Sequence, residues 1–298
     1  MILVDYTQVA IAATFAFQSD MKKGQDTGKM RDIIRHVLLN SLLSYKRQYT
    51  KTYGEMVLAG EGTSNWRRDT FPHYKANREK GREESETDWA SIIDIIGEIR
   101  EELREVFPWK FVNHERAEGD DVIAVLVHYL QENELKSSGL FDEPQEILIL
   151  SSDADFRSLH KFKNVKQFNP IMKKWVAKPE EDFLIEKIIR GDAGDGVPSV
   201  LCPDDFFVNE ESGRASPVTK KVIERFKTGL GLSEEEKRRF ERNRLMIDLS
   251  MTPTDVRDGI LANYKAADAT CDLQKIMNHL IQKRCRNLLN DVQAFKTT

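Results

Sequence analysis

Cysteine is scarce in this sequence: Cys202, Cys271 and Cys285 are the only three in 298 residues, and no two form a CxxC pair. That excludes a disulfide scaffold and a thiolate zinc site, and it predicts reduced thiols of the cytoplasmic kind. Long apolar runs are missing too. None approaches the roughly 20 residues that span a bilayer, so no membrane partner is expected. The opening stretch MILVDYTQVAIAATF has no basic residue ahead of its apolar part and does not read as a secretory signal. A net positive charge, the simplest mark of a nucleic-acid binder, is also absent: the formal net charge is −4 and the pI about 6.0. Taken as a total, that balance argues against a polyanionic partner.

Charge itself is plentiful, at 32% Asp, Glu, Lys and Arg, and its distribution reverses the argument because the two signs are segregated along the chain. Four short apolar runs read as buried parallel strands: Ile2–Val4, Met56–Ala59, Phe111–Val112 and Ile147–Leu150. Helical stripes separate them, through Met30, Ile34, Leu38 and Leu42, through Ile92, Ile96, Ile99 and Leu103, and through Val122, Val125, Leu126 and Tyr129. Strands alternating with helices predict an α/β fold, a mostly parallel central sheet covered by helices. Beyond about residue 180 the strand signals stop and charged helical sequence follows. We therefore expect an α/β core over 1–180 and a helical region over 181–298.

The acids fall where such a sheet would gather them. Asp5 ends the first strand, and Glu61 follows the second by two residues. Glu118, Asp120 and Asp121 open the helix after the third, and Asp153 and Asp155 follow the fourth in ILILSSDADF. In an open parallel sheet the carboxyl ends of the strands share one edge, where ligands bind. Each acid alone has a plain reading as a turn residue or a helix cap; it is the set that points to chemistry. Carboxylates crowded in this way must protonate or bind cations. An oxygen-only set without His or Cys suits magnesium, with manganese able to substitute. Two such ions can activate water and steady the leaving oxygen of a phosphodiester. A further pair, Asp192 and Asp195, sits in the glycine-rich turn RGDAGDGVPSV, which reads as a solvated turn or as a loop that positions a cation or phosphate.

Basic residues surround this acidic centre. Trp66–Arg82 holds six Lys or Arg and two acids. On a helix, Tyr74, Lys75 and Arg78 would share a surface fit to grip phosphates and stack an unpaired base, with Arg67, Arg68 and Arg82 alongside. Residues 156–178 hold seven Lys or Arg and no acid; Phe162, Phe168 and Trp175 there read as the core of a small hairpin, and the lysines as a footprint for a duplex backbone. Lys220 and Lys221 belong to a third basic patch.

Together VDYTQVA, WRRDTFPHYKANREKGREES, EGDDVIAVL, LSSDADFRSLHKFKNVKQFNPIMKKWV and RGDAGDGVPSV resemble the 5′-nuclease (flap endonuclease) superfamily, especially its phage ribonuclease H branch, through about residue 265. The resemblance implies a helical arch at about 66–90 and a C-terminal DNA-binding region with a helix–three-turn–helix motif. It implies that Asp5, Glu118, Asp120, Asp153 and Asp155 serve the metal ions, with Asp192 and Asp195 at a second ion and Asp121 behind them. Glu61 stands where the family usually has Asp. The resemblance also implies that Lys75, Arg78 and Tyr74 lie beside the scissile phosphate. Gly194, Gly196, Val197 and Ser199 would meet downstream duplex, with a monovalent cation at that turn.

The expected activity is a magnesium-dependent, structure-specific 5′ to 3′ exonuclease and flap endonuclease of the ribonuclease H type. Its substrates would be RNA–DNA and DNA duplexes with nicks, flaps or forks, and its role the removal of primers in lagging-strand replication. A monomer in the cytoplasm, that of the host cell if phage-encoded, with a single-stranded-DNA-binding protein as partner, completes the expectation. The alternatives are a non-catalytic branched-DNA-binding protein with a decayed metal site, and a phosphatase using Asp153 as nucleophile.

Overall fold

The computed structural model of the chain describes every residue except 16, 134, 139, 140, 210, 297 and 298. Strand β1 (Ile2–Asp5) leads through α1 (Tyr6–Phe15) and the long α2 (Thr27–Tyr53) to β2 (Met56–Ala59). Two short helices, α3 (Trp66–Thr70) and α4 (Ala76–Glu83), precede α5 (Trp89–Val106) and β3 (Lys110–Val112). Helix α6 (Gly119–Asn133) and an antiparallel pair, β4 (Leu135–Ser138) and β5 (Phe141–Pro144), come before β6 (Ile147–Leu150). A 3₁₀ turn over Asp155–Lys161 leads into the hairpin of β7 (Val165–Asn169) and β8 (Lys174–Trp175).

The main sheet runs β3-β2-β1-β6-β7-β8 and is parallel except for β8. All four strands read from the sequence are in it. Successive side chains of a strand face opposite ways, and the two cores divide accordingly. Ile2, Val4, Met56 and Leu58 pack with α2 and α5, whereas Leu3, Val57 and Ala59 pack with α6 on the other face. Helix α6 is buried nearly all round, from Val122 through Val127, because it lies between the sheet and α10 (Thr254–Ala266).

From Phe183 onward the described elements are helical, as the sequence predicts: α7 (Phe183–Arg190), α8 (Lys220–Thr228), α9 (Glu234–Ile247), α10, α11 (Leu273–Gln282) and α12 (Arg286–Leu289), with short 3₁₀ turns. Ile189 of α7, Val200, and Ile223 and Phe226 of α8 form a small core of their own around the glycine-rich turn. No helix among the described residues is long and apolar enough to cross a membrane.

Trp175 departs from its expected role. It is 50% exposed, because β8 is the sheet's edge strand and only one face of the indole is covered, by Tyr49 and Phe168. Phe162 and Phe168 are partly buried against the two large cores, as expected.

Candidate active site

The strand order reverses direction at β1: the chain goes outward to β2 and β3, then returns to β6 on the opposite side. A crevice opens outside the carboxyl ends of the strands at such a point. Asp5, Glu61, Glu118, Asp120, Asp153 and Asp195 line one cleft of about 300 Å³ there, together with Lys75 and Arg78. Asp155 opens the 3₁₀ turn that follows Asp153.

The acids divide by what surrounds them. Asp5 is 7% exposed and accepts hydrogen bonds from Ser151 Oγ at 2.8 Å and the Gln8 amide at 3.1 Å. Burial, reinforced by Glu61 and Asp153, still pushes its carboxyl up to about 7. Asp120 is raised well above the usual range by burial, then by Asp153 and Asp5. Glu61 reaches the open cleft but is flanked by enough protein to raise its carboxyl, with Glu118 adding to the shift. Among the described residues neither Asp5 nor Asp120 has a salt bridge. Lys75 acts on Asp120 but does not offset its desolvation and its acidic neighbours.

Two lysines compensate the others. Lys75 Nζ lies 2.5 Å from Glu118 and 3.7 Å from Asp195. Lys187 Nζ pairs with Asp155 and, at 3.0 Å, with Asp192. Each ammonium thus ties an acid of the strand edge to an acid of the glycine-rich turn. Burial would raise Glu118, but Lys75 and Arg67 outweigh it and hold the carboxyl below its usual value. Burial would likewise depress Lys187, but Asp155 and Asp192 push it up to about 12. Among the described residues no three acid, imidazole or thiol groups stand ready-made as a metal cage; lysines stand between the acids instead.

The expected helix bearing Tyr74, Lys75 and Arg78 is only partly there. Tyr74 and Lys75 lie in the turn before α4, with Lys75 at φ +58°. Tyr74 is 2% exposed, so its ring cannot stack on a base; its hydroxyl contacts Glu118 at 2.9 Å and Asp195 at 3.0 Å. Arg67 is a second correction. It is buried against the Trp66 ring, with guanidinium nitrogens 2.9 Å from both Asp121 oxygens and 3.2 Å from Glu118. It therefore holds the site's frame and offers nothing to nucleic acid. Asp121, fully buried, also accepts from the Glu118 amide at 3.0 Å and Thr252 at 3.1 Å, and so fixes Glu118 from behind.

The glycine-rich turn is closed rather than open. The amides of Asp195, Gly196 and Val197 donate to Asp192 and Ala193, and the Gly194 amide also bonds Asp192. Gly196, at φ +69°, has the His73 carbonyl where a Cβ would go, at 2.9 Å. Lys75 N donates to Asp195 O at 2.8 Å and Asn77 to Ala193 O at 2.9 Å, so this turn carries the base of α4. Gly196 and Val197 are buried there, while Gly194 is exposed and accepts from Arg78. Ser199 hydrogen-bonds Cys202, and Lys220 and Lys221 are exposed at the start of α8.

A second cleft, of about 400 Å³, adjoins the first and shares Thr7, Ile11, Glu61, Lys75, Arg78 and Glu118 with it. Arg68, Arg82 and Arg100 line this outer lobe. Arg100 and Lys187 escaped the sequence reading. Both sit on amphipathic helices whose apolar stripes carry the visible signal, and a lone cation between those stripes has none.

An acid-lined switch-point crevice beside a cation-lined cleft defines a nuclease of the resolvase-like class, and residues 1–188 match the family described as 5′-3′ exonuclease, N-terminal resolvase-like domain. Residues 177–295 match the family described as T4 RNase H, C terminal. The ribonuclease H of Enterobacteria phage T4 is 32% identical over 305 aligned positions, spanning 98% of this chain and 95% of that one. The chain belongs to this 5′-3′ exonuclease family, with phage T4 ribonuclease H among its relatives. In fold it is similar to the bacteriophage T5 D15 protein crystallised with metal ions, with a TM-score of 0.56, 18% identity, and coverage of 89% of this chain and 98% of that one. A complex of the T5 D15 flap endonuclease with DNA and metal ions matches with the same figures.

Proposed function

We infer that the chain is a magnesium-dependent 5′ to 3′ exonuclease and flap endonuclease acting on RNA–DNA and DNA duplexes with nicks, flaps or forks. The observation that carries the reading is the two-lobed groove, in which uncompensated acids and a row of cations share Glu61, Lys75, Arg78 and Glu118 as a common wall. Asp5, buried, and Asp120, half-buried, repel each other and Asp153. A divalent cation there relieves that cost, and an all-oxygen donor set suits magnesium or manganese. Asp5, Glu61, Glu118, Asp120 and Asp153 would hold one ion; Asp155, Asp192 and Asp195 would serve the other. When bound, the ions supply activation of the attacking water and charge at the leaving oxygen.

The chain's own groups do the rest. Arg68, Arg82 and Arg100 attract the backbone of a free 5′ strand into the outer lobe. Lys75 and Arg78, at the boundary of the lobes, take the non-bridging oxygens of the phosphate to be cut. Tyr74 and Asp121 keep Glu118 in place, and Arg67 keeps Asp121. Lys220, Lys221 and the lysines of 156–178 suit flanking duplex, which reads by shape and charge rather than base sequence. We place the boundary between core and helical region near residue 180, where strands give way to helices. Primer or flap removal in replication, beside a single-stranded-DNA-binding protein and in the cytoplasm of a phage's host, is the setting that fits a monomer of this kind. A monovalent ion at the glycine-rich turn would need its carbonyl oxygens, and those of Asp192, Ala193, Gly194 and Asp195 already accept hydrogen bonds.

The test is cleavage of 5′-labelled flap, nicked-duplex and RNA–DNA substrates in magnesium or EDTA, beside Asp120→Asn. Short 5′ products in magnesium alone are expected, with the variant reduced at least about 10³-fold and fork binding retained. Fork binding by wild type with no cleavage in magnesium or manganese would sink the enzyme reading.

A further inference from the structure

Lys187 is a cation without a role in the proposed cleavage, and its position is specific. It projects from the last turn of α7, is largely buried, and pairs with Asp155 and Asp192 at once. Those two acids reach it from different elements, one from the 3₁₀ turn after β6 and one from the glycine-rich turn. The ammonium therefore lies between the carboxylates assigned to the second ion. Asp5 and Asp120, by contrast, make no salt bridge among the described residues, and Lys75, paired with Glu118, only softens the repulsion at Asp120.

The same side chain borders a second space. A pocket of about 380 Å³ is lined by Lys187 with Glu180, Asp182 and Glu186 and also with Arg157 and Arg190; Asp182 already pairs with Lys227 and Glu186 with Arg190. A rotation of the flexible lysine stem would carry the ammonium into this pocket beside the exposed Glu180, where solvent can hydrate it, so leaving Asp155 and Asp192 does not strand a charge. Like charges cannot share one carboxylate pair in a half-buried site.

We propose that Lys187 is a resident counter-cation of the second ion site: it holds Asp155 and Asp192 when the divalent ion is away, and must swing into the pocket beside Glu180 to admit it. This rests on the nuclease reading and adds a competition to it. Asp5, Asp120 and Asp153 make no salt bridge among the described residues, and only Glu118 of the central acids holds an ammonium, that of Lys75. Both Asp155 and Asp192, by contrast, must exchange one cation for another. Lys187 is thus a positioning residue that weakens the second ion's affinity and keeps the ion-free site from flying apart.

Titration of the full-length chain with Mn²⁺ alone, reading the free ion by electron paramagnetic resonance, tests this without any turnover. Wild type is expected to show a tighter and a weaker constant. Lys187→Met should strengthen the weaker one by about 10-fold and leave the tighter one nearly unchanged. Lys187→Arg, which keeps the charge, should stay near wild type. Melting of the ion-free chain should fall in Lys187→Met and recover with Mn²⁺ by more than wild type gains, which also reports that the variant folds. A weaker constant that is unchanged or loosened in a folded Lys187→Met overturns the exchange and makes the lysine a plain support of the two acids. If wild type itself takes up no Mn²⁺, the nuclease reading falls first.

Discussion

Two buried carboxylate clusters lie at opposite ends of this molecule's charge balance. At the strand edge Asp5 is buried and Asp120 half-buried, among the described residues neither has a salt bridge, and desolvation and repulsion raise both. On the other side of the sheet, where α2, α5 and α11 meet, Glu102 is half-buried and answered three times over. Its oxygens bond Arg35 at 2.8 and 2.9 Å, His279 at 3.1 Å and Lys283 at 3.1 Å. Burial alone would raise Glu102, but the hydrogen bonds from His279 and Arg35, with Lys283, hold it far below the carboxylate range. One cluster spends stability on a cation it lacks, and the other ties the C-terminal helices to the core. A strongly shifted acid therefore marks function only when its sign says the charge is unmet.

The comparison breaks most visibly in a stability experiment. Glu102→Ala leaves the Arg35 guanidinium, 1% exposed, without its main partner in a dry interface. Loss of one member of a buried pair costs about 3–5 kcal/mol, so urea melting should shift by that much. Asp120→Asn removes a repelled charge, and the ion-free chain should be as stable as wild type or more so while cleavage disappears. A large stability loss in Asp120→Asn, or none in Glu102→Ala, would erase the distinction.

The pH dependence of the ion-free chain should carry both signs. Asp5 has a folded value of about 7, above its unfolded one, so its ionised form burdens the fold. That burden is full above about pH 7 and lifts as pH falls toward the unfolded value. Glu102 is depressed in the fold, so its stabilisation is present above its unfolded value and is lost as pH falls through its folded one. In EDTA the melting temperature should therefore rise from pH 8 to pH 6 and collapse only at much lower pH. With magnesium present the upper part of that slope should flatten, because the acids then have a cation. A profile in EDTA that rises steadily through pH 8 contradicts the assignment.

The same contrast explains what the sequence disclosed. The strands were legible because each is a short apolar run, and the strand-edge acids because each stands just after one. The Glu102 cluster was invisible: Arg35, Glu102, His279 and Lys283 lie on three helix surfaces, where a charge reads as solvated. Lys187 and Arg100 were hidden in the same way. Arg67 misled because its neighbour Arg68 does face the cleft, and nothing in a basic run says which member turns inward to Asp121. Helical spacing puts Tyr74 on the surface of Lys75 and Arg78, but Lys75 takes a left-handed backbone before the helix begins and the Tyr74 ring is buried. The glycine-rich turn was located correctly, but its amides close on Asp192 and Ala193, and only the fold shows that α4 rests on it.

The smallest effect separates members of the Glu102 cluster from one another. Lys283 keeps 32% of its side chain exposed, against 2% for Arg35. Its ammonium stays hydrated while it pairs, so deleting it returns little to solvent and strands nothing. Arg35 still binds Glu102 through two nitrogens, and His279 still supports it. Lys283→Ala should therefore cost under about 1 kcal/mol, as exposed pairs do, and the small shift should shrink further in high salt. Urea midpoints in low and high salt measure this. A loss above about 2 kcal/mol, insensitive to salt, would mean that Lys283 and not Arg35 is the cation on which Glu102 depends.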